Sequence, residues 1–586
     1  MKKGILSQYK VLTKYIGVYK KQAILTPVLV SLEVVLEVLI PLIMAQMINK
    51  MSGDTMTPIY VFGIALILMA IGSLLAGMFA GKFAATASTG FAKNIRKGIF
   101  YRIQDYSFKE IDKFSASSLV TRLTTDVTNA QNAFQMIIRI AIRTPLMMIF
   151  AFVMTVSISW DMALIFVVIV PILGGGLGLI LTKVFPVFKR IFKKYDRLNS
   201  RVQENVGGIR VVKSFVREDY ENKKFNVAAG EVRDDFIKAE KIIALNNPLM
   251  IFSMYLVTVL IAYFGANKII NSAGLALSTG ELSSLVTYST MILMSVMMFS
   301  MVFVMIAISA ESVNRIAEVL ETTSSLDPNP EGLTVVKDGS VTFKNVCFSY
   351  SENASKYVLQ DIDLSIKSGE TIGILGVTGS SKTSLVQLIP RLYDVTNGEV
   401  LVGGRNVKDY ELHALRDSVA FVLQKNVLFS GTIADNIRWG NKHASIEEVK
   451  EVAKLACADE FIEQLPGKYE ARIERGGTNV SGGQKQRLCI ARALIKKPKI
   501  IIFDDSTSAI DTKTNALITE QMKKMLPNTT KIIIAQRVAS IESADRIVIL
   551  ENGKVVAFDT HERLMESNAS YREIYNSQVN TTRGDA

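Results

Sequence analysis

The chain has 586 residues, of which 49% are hydrophobic and 21% charged, a mixture that suits a part-membrane, part-soluble protein of several domains better than either extreme. Its formal charge of +13 argues little for a nucleic-acid partner, because the basic residues cluster beside apolar segments, where retention on the cytoplasmic side of a membrane explains them. Cys347, Cys457 and Cys489 lack any pairing or metal-ligand spacing, which fits a reducing cytoplasm, and His413, His443 and His561 are too scattered for a zinc site.

Six apolar stretches precede residue 310: Ile24–Ile48, Ile59–Ala80, Ile137–Ile158, Met162–Val184, Pro248–Ala266 and Leu285–Ser309. Each approaches or exceeds the ~20 residues that a helix needs to cross hydrocarbon. The first, third and fifth linkers are short and nearly uncharged, as in "SISWD" at Ser157–Asp161. The second and fourth are long and basic, with Lys93, Arg96, Lys97 and Arg102 in one and Lys189, Arg190, Lys193 and Lys194 in the other. Together with the lysines before residue 22, they place both termini and both long loops in the cytoplasm of a multi-pass protein in the cell membrane. The first apolar run is too long for a cleaved signal peptide. Stretches such as "FAKNIRKGIFYRIQDYSFKEID" keep an apolar stripe at helical spacing, so the long loops are expected to be helices reaching below the bilayer.

Charges occur inside the spans. Glu33 and Glu37 are four apart in the first, and Arg139 and Arg143 four apart in the third, so each pair shares a helix face. Two readings stand: mutual structural pairing, or contact with substrate. The last span carries Met291, Met294, Met297, Met298, Met301 and Met305. They are either ordinary packing residues or a pliable, weakly selective apolar wall, with Met294, Met298 and Met301 the candidates for a substrate path.

After the amphipathic "ESVNRIAEVLETTSSLDPNP" the composition changes. Short β-type runs ("TIGIL", "SVAFV", "KIIIFDD", "KIIIAQ", "RIVIL") alternate with helical stretches, the pattern of an α/β domain. "TIGIL", the loop "GVTGSSKT" and the helical "SLVQLI" form a strand, loop and helix. That context suits a phosphate cradle, in which backbone N–H groups and a helix N-terminus face the anion. The loop residues Gly376, Thr378, Gly379, Ser380, Ser381 and Ser384 would line it, Lys382 would reach the outer phosphates, and the Thr383 hydroxyl would hold Mg²⁺. "KIIIFD" ends a strand on Asp504, a carboxylate suited to the Mg²⁺ side. ATP with Mg²⁺ is the expected ligand.

"NVSGGQKQRLCIARAL" (Asn479 to Leu494) resembles the signature sequence of ABC transporter ATPases. The resemblance extends to Tyr350 of "FSY" as the aromatic that stacks on adenine. It also matches Gln424 of "FVLQKN" as the glutamine that senses Mg²⁺, "ERGG" (Glu474–Gly477) as the exporter-type segment, and "SAID" (Ser508–Asp511) as the loop contacting the opposite ATPase domain. In the first half, "LVTRLTTDV" (Leu119–Val127) and "ENVGGIRVVKSFVRE" (Glu204–Glu218) fall in the two long loops, as in the exporter branch of this family. The resemblance implies a half-transporter with an all-α six-helix transmembrane domain and an α/β P-loop ATPase domain, working as a domain-swapped dimer in the lipid bilayer. The divisions expected are an N-terminal cytoplasmic amphipathic segment 1–21, the transmembrane domain 22–310, a linker 311–338, the nucleotide-binding domain 339–577 and a tail 578–586. In such a dimer Ser481, Gly482, Gly483 and Gln484, with Asp511, would complete the ATP site of the facing chain.

Three positions depart from the family's pattern, and all belong to this chain's own cradle. Ser381 stands where the loop has glycine, Asp505 where a glutamate orients or deprotonates the attacking water, and Gln536 where a histidine contacts the γ-phosphate. Serine tolerates close backbone approaches less well than glycine, aspartate is one methylene shorter, and glutamine donates a hydrogen bond without carrying charge. The pattern resembles the degenerate-site half of bacterial heterodimeric ABC exporters. It implies a transport ATPase whose own site binds ATP and turns it over weakly, paired with a half-transporter that carries the glutamate and histidine and an altered signature. Amphipathic drugs or lipid-like compounds are the expected cargo. A homodimeric exporter of one dedicated substrate, a mainly regulatory nucleotide-binding subunit, and uptake through the same fold remain alternatives.

Overall fold

The computed structural model describes residues 11–51, 56–351, 356–377, 379–505 and 512–584. The chain divides into two compact units. One comprises Phe114–Thr323 with the described part of Met1–Asp105, and the other comprises Tyr106–Lys113 with the described part of Ser324–Ala586.

The first unit is helical. Among the described residues, six helical runs are long and apolar enough to cross a membrane: Val11–Lys50, Thr57–Gln104, Ala116–Ile158, Trp160–Gly207, Glu218–Asn271 and Thr279–Glu321. Thr57–Gln104 and Trp160–Gly207 have 48 residues each. At 1.5 Å per residue each measures roughly 70 Å, more than twice the thickness of hydrocarbon, so their charged ends continue well past the apolar part. The long linkers are therefore helical extensions, joined by the short helices Phe108–Lys113 and Ile209–Ser214.

Several polar groups among the apolar helices find partners within the unit, as hydrocarbon favours. Pro41 interrupts the backbone ladder of Lys20–Lys50. Hydroxyls of Thr279–Glu321 reach the carbonyls there: Tyr288, fully buried, donates to Val38 O at 2.7 Å, and Ser284 donates to Pro41 O. The "LVTRLTTDV" segment ends in a wider turn, Arg122–Asp126, that meets the last helix. Asp126 has no exposed surface and accepts from Ser312 and Arg315, while Arg122 donates to Arg315 O and pairs with Glu318 at 3.0 Å.

Among its described residues the second unit contains two main sheets and a two-stranded ribbon of β7 Gly431–Thr432 and β8 Arg472–Ile473. A four-stranded antiparallel sheet has the order β2-β1-β4-β5, with β1 Val341–Phe348, β2 Leu359–Ile366, β4 Asn397–Val402 and β5 Arg405–Asn406. A six-stranded sheet runs β12-β11-β3-β10-β9-β6. Here β3 is Thr371–Leu375, β6 Val419–Val422, β9 Ile500–Asp504, β10 Thr530–Ile534, β11 Arg546–Glu551 and β12 Lys554–Asp559. The central strands β3, β9 and β10 are buried at every residue, which is why they read as unbroken apolar runs rather than alternating ones. They pair in parallel, with Ile534 opposite both Ile374 and Asp504. That register brings the C-terminal ends of β3, β10 and β9 to one edge, where ligands of open α/β sheets bind.

Candidate nucleotide site

Three segments leave that edge: the glycine loop after β3, Asp504–Asp505 at the end of β9, and Gln536 just after β10. Within the loop, close approach is built in. A Cβ on Gly376 would lie 2.3 Å from Leu550 O and 2.5 Å from Ser380 Oγ, whereas the position above Gly379 (φ +87°) is open. Ser380 is buried and its N–H donates to Val377 O at 3.1 Å. Ser381 caps the helix Lys382–Gln387 in the left-handed conformation, at φ +73° and ψ +24°. Glycine adopts that conformation freely, and a Cβ makes it costly.

Lys382 Nζ donates to Gly376 O at 2.7 Å and Val377 O at 3.0 Å. Burial lowers its ammonium from the usual lysine range, opposed by the carboxylates of Asp505 and Asp504. Thr383 Oγ1 donates to Asp504 Oδ1 at 2.8 Å, and Asp504 is only 3% exposed. Burial pushes the Asp504 carboxyl above the ordinary range, the Thr383 hydrogen bond opposes this, and the Asp505 charge adds to it. Gln536 Nε2 donates to Asp505 Oδ2 at 2.6 Å, and Gln424 Nε2 lies at the outer limit of hydrogen bonding, 3.5 Å, from the same oxygen. Asp505 itself has a positive φ of 47°. The structure thus gathers Ser381, Asp505 and Gln536, the three departures, around one cradle.

The hydroxyl of Thr383 and the carboxylate of Asp504 are oxygen donors of the kind that hard divalent cations take, and the side-chain carbonyl of Gln424 would add a third. The Thr383–Asp504 bond already aligns two of these donors. Above the open side of the loop, backbone N–H groups and the Lys382 charge suit phosphate. The residues present therefore fit Mg²⁺ and ATP. Thr378 and Asp511, two further expected ATP contacts, lie outside the described residues.

Tyr350 lies at the cradle's rim, 43% exposed, with its hydroxyl 2.8 Å from Ser384 Oγ. Its ring meets Phe348 edge-on at 4.8 Å and Tyr393 at 5.2 Å. Tyr393 was not legible as part of the site, and its setting explains why. Its hydroxyl donates to Asp112 Oδ2 at 2.6 Å and its ring lies 6.0 Å from Phe108, both on the short helix Phe108–Lys113, remote in sequence. The only signal was the run of aromatics in "FSY" and "RLYD" flanking the loop.

The signature segment opens a separate helix, Gly482–Leu494, capped by Ser481. Ser481 Oγ accepts from Gln484 N–H at 3.3 Å and Ser481 N–H donates to Gln484 Oε1 at 2.9 Å, a reciprocal cap. Ser481 and Gly482 are exposed and Gly483 and Gln484 half-buried, so the helix N-terminus presents N–H groups outward.

Of the intramembrane candidates, the first unit brings Glu33, Glu37 and Arg143 together. Arg143 lies 2.7–2.8 Å from both Glu37 oxygens and 3.3 Å from Glu33. Gly77 makes room: a Cβ there would stand 3.0 Å from Glu33 Oε1. Arg139 packs beside Gly81 rather than in these hydrogen bonds. Met294, Met298 and Met301 are exposed, whereas Met291 and Met297 pack against the apolar core of the first unit.

The sequence matches the ABC transporter transmembrane region family over residues 24–297 and the ABC transporter family over residues 359–508. It is 35% identical to the uncharacterized ABC transporter ATP-binding protein YfiB of Bacillus subtilis, over 94% of this chain and 95% of that one. It is 29% identical to YgaD of the same organism, whose name proposes multidrug export by an ATP-binding/permease protein, over 98% and 99%. The fold matches the structure of a bacterial Atm1-family ABC exporter with ATP bound, with a TM-score of 0.80 over 96% of this chain and 98% of that one, at 23% identity.

Proposed function

The chain belongs to the ABC transporter family, and from that premise we propose that it is one subunit of a heterodimeric, ATP-driven exporter with a degenerate site of its own. The observation that carries this reading is the convergence of Ser381, Asp505 and Gln536 on one cradle, with Gln536 bonded to the carboxylate that would otherwise serve the water. Neutral drift scatters changes; these three share one edge of one sheet.

In this reading the loop N–H groups and Lys382 hold the phosphates, and the Tyr350 ring offers its face to the adenine. Thr383, Asp504 and Gln424 hold Mg²⁺, which supplies charge neutralisation on the phosphate oxygens. Asp505 is a short base whose oxygen accepts from the Gln536 amide, and Gln536 cannot supply the positive charge of an imidazolium. ATP is then retained more than it is cleaved. The outward helix N-terminus at Ser481 completes the facing chain's site, where turnover occurs. The basic long loops support a cytoplasmic ATPase domain, and the name of YgaD supports amphipathic, multidrug-type cargo.

Co-expression with a neighbouring half-transporter tests the assignment. A stable one-to-one complex that hydrolyses ATP, beside an isolated chain that does not, is the expected result. A purified homodimer with full turnover would assign the chain to homodimeric export instead.

A further inference from the structure

The segment that follows β10 is held from outside the cradle. Val538 N–H donates to Gln578 Oε1 at 2.8 Å, and Gln578 Nε2 donates to Gln536 O at 3.0 Å. A single side-chain amide thus grips the backbone on both sides of Arg537, using its donor and its acceptor together.

Gln578 belongs to the last helix, Ala569–Gly584. Tyr571 and Tyr575 precede it by seven and three residues and so share its helical face. Tyr571 is fully buried, with its hydroxyl 2.7 Å from His561 Nδ1. Tyr575 donates to Glu542 Oε1 at 3.4 Å, and Glu542 lies 3.6 Å from His561 Nε2. Tyr575 and Gln578 therefore rest on the segment 536–542 at successive turns, and Tyr571 ties the start of the helix to His561. The Gln578 amide contacts the backbone of the very residue whose side chain reaches Asp505.

We propose that Gln578 is a positioning residue for the nucleotide site. By clamping the main chain around Arg537 it sets the reach of the Gln536 amide toward Asp505 and the outer phosphate of bound ATP. The C-terminal helix thereby becomes part of the apparatus that retains nucleotide in this chain's cradle. The inference rests on the reading of Gln536 as the residue facing the outer phosphate.

The test measures how long photo-reactive azido-ATP stays bound to this subunit in the assembled transporter, read as label crosslinked to this chain after increasing delays. Gln578→Leu keeps the volume and loses both hydrogen bonds; Gln578→Glu keeps the acceptor and loses the donor. Gln578→Glu should shorten retention about fivefold, the scale of one lost hydrogen bond, and Gln578→Leu at least as much, each with an unchanged melting temperature. Gln536→Ala should shorten it similarly, and adding Gln578→Leu to it should change nothing more, as expected for two residues acting as one unit. If Gln536→Ala shortens retention while both Gln578 variants match the parent, the clamp is overturned and the reading of Gln536 stands. If Gln536→Ala leaves retention unchanged, that reading falls and the clamp falls with it. A melting temperature that drops in step with retention assigns Gln578 a merely structural part and also overturns the proposal.

Discussion

Gln536 Nε2 donates to Asp505 Oδ2 at 2.6 Å, joining the ends of two neighbouring parallel strands across the mouth of the cradle. The bond links two of the three residues that depart from the family's pattern. On the proposed reading neither acts alone, because the short carboxylate is held by the uncharged amide. Restoring the pattern therefore needs both changes. Asp505→Glu with Gln536→His should raise hydrolysis at this chain's cradle by about a hundredfold or more, the low end of what a positioned base contributes. Each single change should do much less. Turnover in a transporter whose other site has been silenced is the measurement.

Ser381 holds a left-handed conformation, at φ +73°, that glycine adopts without cost. Ser381→Gly should relieve about 1 kcal/mol of backbone strain, opposed in part by the greater freedom of glycine in the unfolded chain. The melting midpoint of the purified protein should rise by roughly 2–4 °C or slightly less. No change or a fall would show that the serine makes compensating contacts.

Asp504 has its carboxyl raised by burial. A carboxyl raised on folding binds its proton more tightly in the folded chain. Its ionised form therefore costs stability above the folded pKa, and the cost is relieved as pH falls through that value toward the unfolded one. Asp504→Asn keeps an oxygen for Thr383 and removes the buried charge. At neutral pH the variant should melt on the order of 2 °C higher, and this gain should shrink as pH is lowered into the carboxylate range. Mg²⁺-dependent retention of ATP should fall at the same time, since a neutral amide oxygen replaces the anionic carboxylate.

Arg143 pairs with both Glu33 and Glu37 among the apolar helices. Arg143→Ala would leave two carboxylates uncompensated and should cost about 3 kcal/mol or more, seen as lost folded yield. Adding Glu33→Gln and Glu37→Gln should restore the yield. Dye export by that triple variant should match the parent if the cluster is structural, and should fail if it contacts cargo.

The parts of the fold legible in the sequence were those written into local composition. Runs such as "TIGIL" and "KIIIFD" are apolar throughout because both faces of their strands are covered, and the six apolar stretches report the helices that carry them. The cradle was legible because glycines and Lys382 must recur at fixed spacing. Long-range pairings were not. The contact of Gln536 with Asp505 depends on strand register, and that of Tyr393 with Asp112 on docking of a remote helix. The four-residue spacing of Glu33 and Glu37 predicts a shared face, yet only packing of helices far apart in the chain selects Arg143 rather than Arg139 as their partner. Gln578 lies in a polar terminal stretch whose composition gives no sign of the backbone it holds.

The proposed division of labour between two composite sites is tested most directly by ATPase rates of the purified complex with a second half-transporter, bearing one silenced base at a time. Asp505→Asn in this chain should leave the rate within about twofold, and Gln in place of the glutamate that the proposal assigns to the other subunit should lower it about a hundredfold or more. Equal loss from both changes, or a larger loss from Asp505→Asn, would contradict a retentive, weakly hydrolytic cradle in this chain.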